Sequence, residues 1–151
     1  MAARERELRD AIVTTLQAAS DASEFVFSFD VDALFLPKYN LESDVDRVRV
    51  NVGVVSRETS TAARTGWGTK TFTVPITITR KANSDTTLWD NLIDLSEDID
   101  DYLRSYGSPL AQCTWVSSSC DPVFDADVAD TMAVFRATQI HTYTITEAAR
   151  N

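Results

Sequence analysis

The chain has 151 residues, 44% of them apolar, which is the size and content of one ordinary domain with a real core and no need of staples. Twenty-three acidic residues against fourteen basic ones leave a net charge of −9. That excess opposes phosphate binding, because affinity for duplex nucleic acid comes largely from Lys and Arg displacing counterions, and no run of five or more basic residues makes a local exception.

The opening residues are charged and run directly into a helical pattern, so no apolar signal-peptide core is expected. No apolar stretch approaches the length of a membrane span, and a soluble, non-exported chain is expected. From about Arg4 to Ala19, Leu8, Ile12, Leu16 and Ala19 recur at helical spacing, which predicts a surface helix with one buried stripe. Phe25, Phe27, Phe29 and Val31 alternate with mostly polar neighbours and predict a strand. The stretch 33–45, interrupted by Pro37, reads as a connector. Val48, Val50, Val52 and Val54 predict a second strand, with Arg47, Arg49 and Asn51 facing out.

Phe72, Val74, Ile76 and Ile78, alternating with threonines, predict a third strand, and Pro75 within it points to a sheet edge or a bulge. Between these strands, residues 56–70 read as a long polar loop carrying Gly66-Trp67-Gly68, well beyond the length a hairpin needs. A second helix over Thr86–Tyr106 has Asp85 as its N-cap and Gly107 and Pro109 as its stop. Leu88, Leu92, Leu95, Ile99, Tyr102 and Leu103 share one face; Asp90, Asp94, Glu97, Asp98 and Asp101 share the opposite one. Two last strands are expected near 111–118 and 134–146, joined by an aspartate-rich link with a short helical turn near 125–130. A frayed tail is expected over 147–151. With no repeat or linker, the prediction is one α+β domain: a mostly antiparallel sheet of about four to five strands with two main helices on one face.

Few residues suggest chemistry. Cys113 and Cys120 would lie roughly 23 Å apart on an extended strand, so two reduced thiols are expected. His141, the lone histidine, shares a face with Phe135 and Tyr143 and reads as a satisfied core residue rather than a base or ligand. The acidic face of the second helix is a straight row that does not converge on a cation, so it reads as a solvated face or as a negative wall turned to a partner or channel. No nucleophile-elbow or phosphate-loop motif is present. The expectation is therefore no catalysis, no cofactor and no metal. Trp67 could pack locally or anchor an intermolecular contact, with Arg57, Arg64 and Lys70 beside it as candidate interface residues.

The order of pieces resembles the tail terminator (tail completion) proteins of tailed bacteriophages over nearly the whole chain. The resemblance runs through the helix at Leu8–Val13, the segment Leu36-Pro37-Lys38-Tyr39-Asn40-Leu41-Glu42, the strand Val48–Val54 and the polar loop with Arg64. It continues with the strand Thr73–Arg80, the helix Leu88–Leu103, the run Asp121-Pro122-Val123-Phe124-Asp125 and the closing strand Phe135–Tyr143. The resemblance implies a structural virion protein, made in the bacterial host cytoplasm and built into the tail and neck. There it would form a ring, usually a hexamer, on the head-proximal end of the tail tube, stop tube polymerisation and join the tube to neck or connector proteins. The genome would pass through the lumen unbound, which an acidic wall would favour. Other expectations left open are another neck component, such as a head-closure or connector protein, and a small-molecule-binding α+β domain with a pocket at His141.

Overall fold

A computed structural model of the chain describes residues 4–33, 47–53, 56–61, 67–82, 85–121, 123–127, 129 and 133–148. The elements run α1 (Arg4–Asp21), β1 (Asp30–Ala33), β2 (Arg49–Val52), β3 (Ser56–Thr61), β4 (Trp67–Lys81), α2 (Thr86–Tyr106), β5 (Cys113–Ser119) and β6 (Val134–Ala148). They form an α+β fold with one six-stranded sheet in the order β1-β2-β4-β6-β5, to which β3 adds by pairing with β4. All pairings are antiparallel except β1 with β2.

Both helices form where the apolar spacing predicts. Asp85 accepts a hydrogen bond from the Leu88 amide at 3.2 Å, satisfying one of the first-turn donors of α2. Gly107, at φ 77°, closes the helix by donating its N–H to the Leu103 carbonyl at 3.0 Å. Leu8, Ile12 and Leu16 of α1 and Leu92, Leu95, Ile99 and Leu103 of α2 join one buried cluster. The sheet contributes Val50, Val52, Phe72, Val74, Ile76, Ile78, Ala137, Tyr143 and Ile145 to the same cluster. The register sets these sheet residues opposite one another on one face, since directly paired residues share a side.

The region 56–70 departs most from its prediction. Its described parts are strands: Ser56–Thr61 is a strand, β4 begins at Trp67, and the two pair from Ser56↔Thr73 to Thr61↔Gly68, while 62–66 lie outside the described residues. The reason is backbone accounting. With β6 extending to Ala148 opposite Trp67, β4 has a partner along its whole length, and its other edge offers a regular template to the Ser/Thr-rich segment. The same pairing corrects the expected fraying at 147: Glu147 and Ala148 are strand residues opposite Gly68 and Trp67.

Pro75 lies in the middle of the sheet, not on an edge. Within a strand, the N–H and C=O of one residue point the same way. The Pro75 carbonyl accepts from the Gly53 amide at 2.8 Å, so the missing proline N–H is aimed at that same neighbour and not at β6. This is the point where β2 ends and β3 has not begun, and one ladder bond is all that is lost.

The expected strand at Phe25 is short and late. Only Asp30–Ala33 is extended, although the alternation holds: Phe29 and Val31 are buried while Val26 is 83% exposed. The backbone before the strand is satisfied from α1 instead. Ser20 Oγ accepts from the Phe29 amide at 2.9 Å and donates to its carbonyl at 3.2 Å, and Gln17 Oε1 accepts from the Val31 amide at 2.9 Å. On β2, Asn51 lies on the face opposite the core valines, as expected, but is buried there, as are Thr77 and Thr79 beside it on the sheet. Of the expected connector at 33–45, Ala33 ends β1 and residues 34–45 lie outside the described residues, as does Val54.

Candidate interaction surface

The helical carboxylates fall where the sequence places them. Asp90, Asp94, Glu97 and Asp98 are exposed on α2, opposite its buried leucines, and Asp101 is half-exposed with Arg104 at 3.0 Å. Asp100, which is not part of that stripe, turns inward towards β5 and β6.

The candidate basic and aromatic residues are gathered only in part. Arg57 is on β3, and its guanidinium lies 3.1 Å from the Glu5 carboxylate of α1, so it is drawn into an ion pair within the chain. Lys70 is on β4, opposite Thr59 on one side and Ile145 on the other. Trp67 opens β4, and Arg64 lies outside the described residues. Arg57, Trp67 and Lys70 thus lie on one hairpin but are spread along it: Arg57 stands opposite Phe72 near its base, Lys70 opposite Thr59, and Trp67 at the start of β4. Among the residues whose burial is described, Phe72, Tyr143 and Ile145 are fully buried beside this hairpin, while Ser56–Ser60 are all exposed.

The face of the sheet turned away from the helices has its own chemistry. Thr69↔Thr146, Thr71↔Thr144, Thr73↔Thr142 and Thr77↔Thr138 are directly opposed pairs, and in the last the two hydroxyls are 3.1 Å apart. β5 and β3 extend this row with Thr114, Ser117, Ser56 and Ser60, with Glu58 among them. The row is broken by the Pro75↔Ile140 pair, Thr77 and Thr79 are buried, and Arg49 and Arg136 stand beside Thr79 on the same face.

One cluster brings a serine, an aspartate and a histidine together, and its geometry decides against acid–base work. Ser118 Oγ donates to Asp100 Oδ1, not to the imidazole. Trp115 Nε1 donates to His141 Nδ1 at 3.0 Å, and an indole N–H can only donate, so Nδ1 carries no proton. The proton is therefore on Nε2, which donates to Gln139 Oε1 at 2.8 Å. Gln139 Nε2 in turn donates to Ser96 Oγ at 2.9 Å and to the Ser96 carbonyl. His141 is fully buried, and burial pushes its pKa down to about 4 against a smaller upward pull from Asp100. A base needs a free lone pair within reach of a substrate proton, and here both ring nitrogens are engaged. The residue is a satisfied core histidine, and no pocket forms around it among the described clefts.

The other titratable groups of the interior are likewise held neutral. Burial raises the Cys113 thiol to about 11 and also raises Cys120, so neither is an activated thiolate. Both cysteines are free. Among the described residues no group of three or more His, Cys, Asp or Glu could hold a metal ion, and no helix is long and apolar enough to cross a membrane. What the arrangement offers is surface: an acidic helix face, a hydroxyl-lined sheet face and a polar hairpin end. Sequence reasoning missed the second of these, although the Thr-x-Thr spacing of 69–73 and 142–146 carries it. No protein-family model matches the chain, and no curated protein matches it.

Proposed function

We propose that this chain is a non-catalytic, ring-forming subunit of the tail-terminator kind, which caps the head-proximal end of a phage tail tube and joins it to the neck. The observation that carries the reading is the hairpin end built by β3, β4 and β6. It adds an exposed polar strand, Ser56–Ser60, along the edge of β4, with Arg57 and Lys70 on the same regular backbone scaffold. Rigid strands projecting from a packed body suit repeated contacts between identical copies, because little ordering entropy is lost on binding.

Terminating a polymer requires one surface that copies the tube subunit's contacts and another that offers none. The hairpin end and the acidic α2 face supply two such unlike surfaces. The segment 56–70 holds Arg57, Arg64 and Lys70 against Glu58, whereas α2 holds six carboxylates against Arg104. A helix face of that charge, repeated around a ring, would repel a passing genome and keep it mobile. The test is to add purified chain to polymerising tail tube subunits. Tubes capped at one end and arrested in growth are expected. Tubes of unchanged length, with no added density at either end, would overturn the proposal.

A further inference from the structure

The lone histidine joins three elements. β5 is an edge strand interrupted by a bulge between Trp115 and Ser117, and its ladder with β6 is short. Beyond that ladder, the Trp115 amide donates to the Gly107 carbonyl at 2.9 Å, and among the described residues two side-chain bonds tie β5 to the body: Trp115 Nε1 to His141 Nδ1 on β6, and Ser118 Oγ to Asp100 Oδ1 on α2. Both converge on one imidazole, because the same Asp100 oxygen lies 3.7 Å from His141 Nε2.

We propose that His141 is an acid-sensitive latch for the edge strand β5, closed while its Nδ1 lone pair accepts the Trp115 indole N–H and opened when that nitrogen takes up a proton. The step is a simple protonation from solvent, with no covalent bond broken. Once Nδ1 bears a hydrogen, two N–H donors face each other across 3.0 Å and the bond to Trp115 is lost. The imidazolium then attracts the Asp100 carboxylate, which is already within ion-pair distance, and competes with Ser118 for it. One proton thus weakens both ties on β5 together.

Burial opposes protonation of the ring, which places the opening at acid pH, and the nearby charge works the other way. Asp100 is the carboxylate that faces the ring from α2, and its charge is the influence that raises the imidazole's affinity for a proton. On β6 the neighbouring side chains are the neutral Gln139 and the buried Tyr143, and β4 presents Val74 directly opposite. β5 contributes the thiol of Cys113, held neutral by burial, and Cys120 follows at its end. No cation among these groups would resist the new positive charge. The latch is independent of the proposed role in a tail, since it rests on the core alone.

The experiment is an NMR titration of the intact chain from neutral to acid pH, following the His141 ring nitrogens, the Trp115 indole N–H and amide exchange along β5. At neutral pH an unprotonated Nδ1 and a protonated Nε2 are expected. As the ring titrates, the Trp115 indole signal should move with it. Exchange of the Thr114 to Ser119 amides, corrected for intrinsic rates, should rise by about tenfold or more while the centre of β4 stays protected. Trp115→Phe removes the donor and should move the His141 titration towards neutrality, with β5 exchange losing its pH dependence. A protonated Nδ1 at neutral pH, an unmoved Trp115 signal, or loss of protection in β4 and β5 together would each overturn the latch.

Discussion

Gly53 and Pro75 form a pair whose coupling can be worked out from geometry. Gly53 stands opposite Pro75 and donates its N–H to the proline carbonyl at 2.8 Å, while the proline ring fills the space where a side chain on residue 53 would go. A Cβ built on Gly53 would lie 2.8 Å from Pro75 Cγ, which is inside any normal contact. Gly53 is not at positive φ, so the demand is for space and not for backbone freedom. Gly53→Ala therefore overpacks the junction between β2 and β3 and should cost about 2 kcal/mol, or roughly 4–8 °C in Tm for a chain of this size. Pro75→Ala removes the ring and restores a donor aimed at the Gly53 carbonyl, so on its own it should be close to neutral, and the double variant should regain most of the loss. Urea denaturation of the four proteins gives the cycle, with m-values unchanged. If Gly53→Ala cost as much with alanine at 75 as with proline, the steric account would be refuted.

Four further outcomes follow from particular residues. Tyr143 Oη is buried without a hydrogen-bond partner among the described residues, so Tyr143→Phe should stabilise the chain by about 1 kcal/mol in the same denaturation assay; a loss would mean that the hydroxyl is satisfied. His141 has a folded pKa of about 4 against an ordinary 6.5, so the unfolded chain binds the proton first as pH falls. Its stabilising contribution is whole above about pH 6.5 and shrinks by up to about 3 kcal/mol as pH drops to 4, seen as a steeper acid loss in the parent than in His141→Gln. Asp85→Ala removes the N-cap of α2 and should cost about 1 kcal/mol by thermal melting. Trp67→Ala should leave the circular dichroism spectrum and Tm unchanged while impairing ring or tube association, and unimpaired association would remove Trp67 from the interface.

Local signals were readable from the sequence, and long-range ones were not. The ends of α2 are set by Asp85 and Gly107 acting on amides and carbonyls within four residues, so its bounds follow from the residues themselves. The buried apolar residues of β2, β4 and β6 follow from period-two alternation because a helix layer covers one face, whereas the burial of Asn51, Thr77 and Thr79 on the other face does not. β3 has no such alternation: Ser56–Ser60 are exposed throughout, and only the β-branched threonines and the length of the segment hint at a strand. Pro75 looked like an edge residue because sequence does not reveal that the neighbouring strand is interrupted at Gly53.

The candidate surface was legible to the same degree. The α2 carboxylates share a face by helical spacing alone, whereas the engagement of Arg57 depends on Glu5, brought beside it only by the tertiary placement of α1. His141 as a core residue was visible from its apolar neighbours on β6, but its partners Trp115 and Asp100 come from two other elements.

The central claim, a subunit that assembles with copies of itself on a tail tube, is tested most directly by light scattering and negative-stain imaging of the purified chain, alone and beside tube protein. The account predicts closed rings, hexameric if the resemblance to tail terminators holds, which seat on tube ends. A chain that stays monomeric at high concentration, and stays so in the presence of tube protein, would contradict it.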